Sequence, residues 1–180
     1  MAEFFDHITD KHADFIAEQP MFFIATACKE GRINLSPKGM DCFRVLSPNL
    51  CGYLDMTGSG NETATHLKHD GRVTIMFNSF SRQTLIYRLY GKGRVARAGS
   101  PEFEELKDRF PNLPGARQII LMDVESTQTS CGYAVPVMEL KTERQTLVKY
   151  TENLGEDGIL EYQQKKNLKS IDGLDTGLND

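Results

Sequence analysis

The 180-residue sequence has no tryptophan, no paired cysteines and no long apolar run, and its acids outnumber its bases. Each shortage excludes a class. The longest apolar stretch, MFFIATAC, falls far short of the roughly 20 residues a membrane-spanning helix needs, so no membrane partner is expected. The opening MAEFFDHITDKHADF mixes acids with aromatics and lacks a basic region followed by an apolar core, so no targeting segment is expected. A formal charge of −4 argues against general nucleic-acid binding, which depends on neutralising phosphates. Cys28, Cys42, Cys51 and Cys131 are scattered without a CxxC pair, which suits reduced, mostly buried thiols in a cytoplasmic protein rather than disulfides or zinc.

What is present fits one domain, because a chain of this length carries one substantial core. Asp6 to Glu18 places Ile8, Phe15 and Ile16 at helical spacing before Pro20. From Met21 the pattern turns to strands. MFFIATACKEGRINLSPKG and CFRVLSPNLCGYLDM each read as two strands around a turn, and together as an antiparallel meander of four. RVTIMFNSF, the alternating Gln83 to Ala96 with its Gly91 and Gly93, and Ala116 to Thr129 supply further strands. Short helices are expected over Asn61 to His69 and from Ser100-Pro101 to about Phe110. A capping box at Thr142 to Gln145 opens a C-terminal helix, and a second follows over about Glu156 to Lys166. Six or seven strands with peripheral helices describe a β-barrel-like α+β domain, 1–180, with an N-terminal helix and a C-terminal helical tail.

Chemistry is sparse. LDMTGSGNETATHL leads from a strand through glycines into a helix, as phosphate loops do, but carries no lysine or arginine. Local sequence also reads Ser59 to Glu62 as a capping box, with Ser59 as N-cap. A phosphate there would need a cation from elsewhere: Lys38 in INLSPKG, Arg72, Arg82, or the Arg88, Lys92, Arg94 face of the alternating strand. His66 and His69 lie three apart, but a solvated helix face is the expected reading and no metal site is assigned. No nucleophile–base arrangement can be assembled from sequence order, so no catalytic residue is assigned.

The order of the pieces carries more. A strand ending in SPKG, then FRVL, then GYLDMT passing through SGNET into a helix, then DGRVTIMF and YRLYGKGRV, resembles the pyridoxamine 5'-phosphate oxidase-like family of FMN-binding proteins. VESTQTSCGYAVP and KNLKSIDGL resemble an uncharacterised branch of it, and the likeness runs from about Ile8 to Leu174. This resemblance implies an α+β fold built on a six-stranded antiparallel split β-barrel. It also implies a homodimer with FMN at the subunit interface and a small-molecule substrate.

By the same resemblance, the strand from Ile33 to Lys38 runs along the flavin, the strand end Asp55 to Thr57 passes by it, and Glu62 and Thr63 fall at the phosphate end. The chemistry of the residues adds Ser36 beside Lys38 at the ring, Ser59, Asn61 and Thr63 at the phosphate, and Arg72 or Arg88 as the cation. Glu62 and Thr63 stand where the oxidases carry an Arg-Lys pair, and Leu85 or Ile86 where they carry a glutamine. Vitamin B6 oxidation is therefore not expected. The implied activity is electron transfer between a reduced nicotinamide or deazaflavin donor and a small organic acceptor. The alternative is a non-catalytic flavin- or haem-binding protein on the same fold, and Ser130 to Tyr133 could line the partner's site.

Overall fold

The computed structural model describes residues 2–180. Eight strands form one antiparallel sheet: β1 (Glu3–Phe5), β2 (Phe22–Thr26), β3 (Asn34–Lys38), β4 (Phe43–Ser47), β5 (Leu50–Met56), β6 (Arg72–Asn78), β7 (Leu85–Arg97) and β8 (Ala116–Cys131). The helices are α1 (Asp10–Ala17), α2 (Glu62–His69), α3 (Pro101–Leu106) and α4 (Thr146–Lys166). The sheet order is β3-β2-β6-β7-β8-β5-β4, with β1 paired to the far end of β8. The fold is an α+β split barrel with eight strands rather than six. The seven strands read from the sequence lacked only β1, three residues that owe their strand geometry to pairing with Thr127, Gln128 and Thr129.

The four-strand meander also needs correction. β2 pairs with β3 and β4 with β5, but β3 and β4 end at opposite edges of the sheet. Between them Met40 (φ 65°) and Asp41 (φ 50°) adopt left-handed backbone, an uncommon conformation for residues with a side chain. The chain thereby crosses from one sheet edge to the other. This is the split, and it leaves the end of β3 facing the end of β5.

The barrel is filled by Phe22, Ile24, Tyr53, Ile75, Phe77, Leu89, Ile120 and Met122, all buried. Phe22 meets Phe43, Tyr53 and Phe77 with ring centroids 5.1–5.5 Å apart. β7 and β8 form the longest ladder, and Gly91 sits at its bulge. A Cβ there would lie 2.0 Å from the Asp123 carbonyl oxygen, so only glycine allows the two backbones to meet.

α1 starts at Asp10, four residues later than the apolar pattern suggested, capped by Thr9, whose hydroxyl accepts from the His12 N–H. It covers the barrel with Phe15 and Ile16. α3 has the expected Ser100 cap and Pro101 start, then gives way to a 3₁₀ turn over Lys107–Arg109. α4 begins at Thr146 without a side-chain cap, so Thr142 to Gln145 is not a capping box; the Thr142 hydroxyl instead donates to the Glu143 carbonyl. Gly155 (φ 67°) breaks α4 into the two segments the sequence suggests. No helix among the described residues is long and apolar enough to cross a membrane.

Candidate functional site

A polar cleft opens where the split brings β3 and β5 together. It encloses about 340 Å³, and its walls include Ser36 and Lys38 from β3, Asp55 from β5, the loop Gly58 to Asn61, the start of α2, and Arg117 from β8. Alternation along β3 turns Asn34, Ser36 and Lys38 to the cleft side and leaves Leu35 and Pro37 exposed.

A buried charge cluster forms the floor. Asp55 sits in the run GYLDM and is 3% exposed. One of its oxygens accepts from Lys38 Nζ at 3.1 Å. The other accepts from Arg117 Nη2 at 2.7 Å, Arg117 Nε at 3.3 Å and Gln118 Nε2 at 2.9 Å. Burial alone would raise the Asp55 pKa; the charges of Lys38 and Arg117, with the hydrogen bonds from Arg117 and Gln118, outweigh it and lower it to about 2. Asp55 is therefore a carboxylate at neutral pH, fully bonded and unavailable as a base. Lys38 also lies 5.4 Å from the Tyr53 ring centroid, which helps fix its direction.

The same guanidinium shapes the loop. Arg117 Nη1 donates to the Gly60 carbonyl at 3.1 Å and to Asn167 Oδ1 at 2.7 Å. Asn167 is fully buried and donates through Nδ2 to the Gly58 carbonyl at 3.0 Å. In a trans peptide the N–H points opposite the carbonyl, so the Ser59 and Asn61 N–H groups are turned away from these two side chains. Among the described residues, no backbone N–H from Gly58 to Ala64 donates to another group of the chain. The Asn61 side-chain Nδ2 is likewise without a partner, on a residue only 2% exposed.

The loop differs from its local reading. α2 begins at Glu62 with Asn61 as N-cap and no side-chain cap, so Ser59 and Glu62 do not form a capping box. Glu62 Oε1 accepts instead from the Ile171 N–H at 2.9 Å, and the competing partner comes from the C-terminal tail.

Ser36, Lys38, Ser59, Asn61, Glu62 and Thr63 thus line one cleft. Thr57 lies beside it, buried, its hydroxyl accepting from Gln163 Nε2 at 2.7 Å. Arg72 and Arg88 are elsewhere: Arg72 pairs with Asp70, and Arg88 donates to the Ser130 hydroxyl. Arg94 is held by Glu102 and Asp123. His66 is buried and shares a hydrogen bond with Thr26 at 3.0 Å, so it is not part of a solvated face. Cys131 is exposed at the end of β8, which overturns its reading as a buried thiol. The residues missed from sequence are Arg117 and Asn167, and Asp55 entered only as part of the strand end beside the flavin. An acid inside the apolar run GYLDM was the available signal, since a buried carboxylate requires a cation.

Comparison with known proteins gives one family. Residues 8–131 match the pyridoxamine 5'-phosphate oxidase family model. The pyridoxamine 5'-phosphate oxidase family protein ustO of Aspergillus flavus is 38% identical over 194 aligned positions, covering 97% of this chain and 77% of the relative. HupZ of Group A Streptococcus has a similar structure, with a TM-score of 0.51, 21% identity, and coverage of 66% of this chain and 90% of that one. The FAD binding protein of Mycobacterium smegmatis reaches a TM-score of 0.52 at 11% identity, covering 69% and 98%. At such identities the two structures share the architecture alone. The family match and the 38% identical relative carry more: the chain belongs to the pyridoxamine 5'-phosphate oxidase family.

Proposed function

We propose that the protein is a cytoplasmic FMN-dependent oxidoreductase. It passes electrons between a reduced nicotinamide or deazaflavin donor and a small organic acceptor, and works as a homodimer with the cofactor at the subunit interface. One observation carries the reading: the backbone N–H groups from Gly58 to Ala64 lack partners beside a cleft that also receives Lys38. Unpaired N–H groups at a glycine loop and helix start favour a phosphate, through their geometry and through the helix dipole. The orphaned Asn61 amide adds a donor on the same wall. The FAD binding protein that shares this architecture is consistent with a flavin ligand.

The phosphate end falls to Ser59, Asn61, Thr63 and the loop backbone, and the ring end to Ser36 and Lys38. FMN supplies the electron-transfer chemistry. Lys38, anchored by Asp55, holds a positive charge beside the bound group, where reduction accumulates negative charge. Because the flavin carries out the transfer, the absence of a nucleophile–base pair does not count against the activity. A pyridoxamine phosphate is not the substrate proposed.

The absorption spectrum of the purified protein tests this. A yellow protein that releases FMN on denaturation, and bleaches anaerobically with NAD(P)H or a reduced deazaflavin, is the expected result. A protein that stays colourless in excess FMN overturns the reading, and saturable haem binding would then favour the non-catalytic alternative.

A further inference from the structure

The charged side chains lining the cleft cancel, Lys38 and Arg117 against Asp55 and Glu62. Asp55 is fully engaged by its cations, so Glu62 is the group that would oppose an incoming phosphate. Its position at the first turn of α2 makes its carboxylate a ready internal competitor for the free N–H groups there. Its actual partner is the Ile171 N–H, 109 positions away in sequence. We infer that the C-terminal tail, residues 167–180, is part of the anion site: it engages the Glu62 carboxylate through the Ile171 N–H, so that this carboxylate does not take the free N–H groups at the start of α2, and it holds the glycine loop from behind. This rests on the FMN reading above for the identity of the anion.

The strap is fastened along its length. Asn167 bridges the Gly58 carbonyl and Arg117, which in turn holds the Gly60 carbonyl. Ile171 takes Glu62, and the next residue, Asp172, takes both the side chain and the backbone N–H of Arg32. Thr176 accepts from Arg97 at 2.8 Å through its carbonyl. Asp175 and Asp180 converge on Lys68, on the opposite end of α2 from Glu62. The tail therefore grips α2 at both ends. A Gly-Ser-Gly loop loses more conformational freedom than most segments when it is ordered, so bonds that fix its two glycine carbonyls lower the cost of binding.

FMN titration followed by quenching of flavin fluorescence, with inorganic phosphate as a second probe followed by amide NMR shifts, tests the strap. Ile171 is 69% exposed, so Ile171→Pro removes its N–H with little change to packing. The expected result is FMN affinity weakened roughly tenfold, as for loss of one hydrogen bond to a charged group. Glu62→Gln added to that variant restores the affinity, and Glu62→Gln alone tightens it. Asp172→Asn, which loosens the same segment through Arg32, weakens binding in the same direction if Ile171→Pro proves unstable.

If FMN binds the parent protein and both tail variants equally, the strap is overturned and the cofactor reading stands. Weakening that Glu62→Gln fails to relieve overturns the role given to Glu62. If FMN does not bind but phosphate shifts the amides of Ser59 to Ala64, and Ile171→Pro abolishes those shifts, the strap stands and the cofactor reading falls. Binding of neither probe overturns both.

Discussion

Replacing Arg117 with methionine is the most demanding perturbation of the cleft floor. The side chains of Arg117 and Asp55 are 3% and 4% exposed and meet at 2.7 Å. Breaking a buried pair from one side leaves an uncompensated charge and costs roughly 3–5 kcal/mol. In a domain of this size that lowers the thermal midpoint by about 10 °C. The loss depends on pH in a defined direction. Native Asp55 titrates at about 2 instead of the ordinary 3.8, so its ionised form contributes roughly 2 kcal/mol of stability. That contribution is complete above about pH 4 and disappears as the pH falls toward 2. In Arg117→Met burial acts against only Lys38 and the Gln118 hydrogen bond, the native carboxyl titrates higher, and protonation relieves its strained ionisation. The difference between parent and variant is therefore largest at neutral pH and narrows below about pH 4. Thermal melts followed by circular dichroism across pH 3 to 7 read both quantities. Midpoints within 2 °C of each other at pH 7, or a difference that does not change with pH, would refute the buried-pair account.

Other perturbations probe the scaffold around the cleft. Gly91→Ala places a Cβ 2.0 Å from the Asp123 carbonyl oxygen, so the β7–β8 ladder must part; a loss of about 3 kcal/mol or more is expected in urea unfolding. Phe22→Ala removes the ring shared by Phe43, Tyr53 and Phe77, with an expected loss of about 3–5 kcal/mol by the same measurement. In a thiol-reagent titration at pH 8, Cys131 reacts at once because it is exposed. Cys42, whose thiol burial pushes up to about 12, and Cys51, fully buried and raised further, react only on unfolding. Rapid reaction of all four in the native protein would contradict the core described here.

What the sequence reveals about this site depends on how far apart the partners lie. Ser36 and Lys38 are legible because SPKG combines a strand end with a proline and a glycine, and alternation then sets both on one side of β3. The loop Gly58 to Asn61 is legible as a turn into a helix, but its hydrogen bonds are not. The local pattern Ser-Gly-Asn-Glu satisfies a capping box on paper, and a tail residue far along the chain takes Glu62 instead. Arg117, second in the strand ARQIIL, draws no notice in sequence, because Asp55 lies 62 positions earlier and only the sheet register brings them together. β1 escapes notice because three residues carry no periodicity; the length of β8 makes them a strand. Short-range signals such as Ser100-Pro101 and the break at Gly155 survive folding unchanged, since the backbone geometry they dictate needs no distant partner.

The same distinction separates the cations proposed for the cofactor. Lys38 reaches the cleft across the split, whereas Arg72 is spent on Asp70 outside it. The decisive measurement is an FMN titration of the parent protein, Lys38→Met and Arg72→Ala, read by flavin fluorescence quenching. Saturable, equimolar binding by the parent, affinity weakened at least about tenfold in Lys38→Met, and a change of less than about twofold in Arg72→Ala are expected. No saturable binding by the parent, or equal affinity in Lys38→Met, would contradict the proposed FMN site.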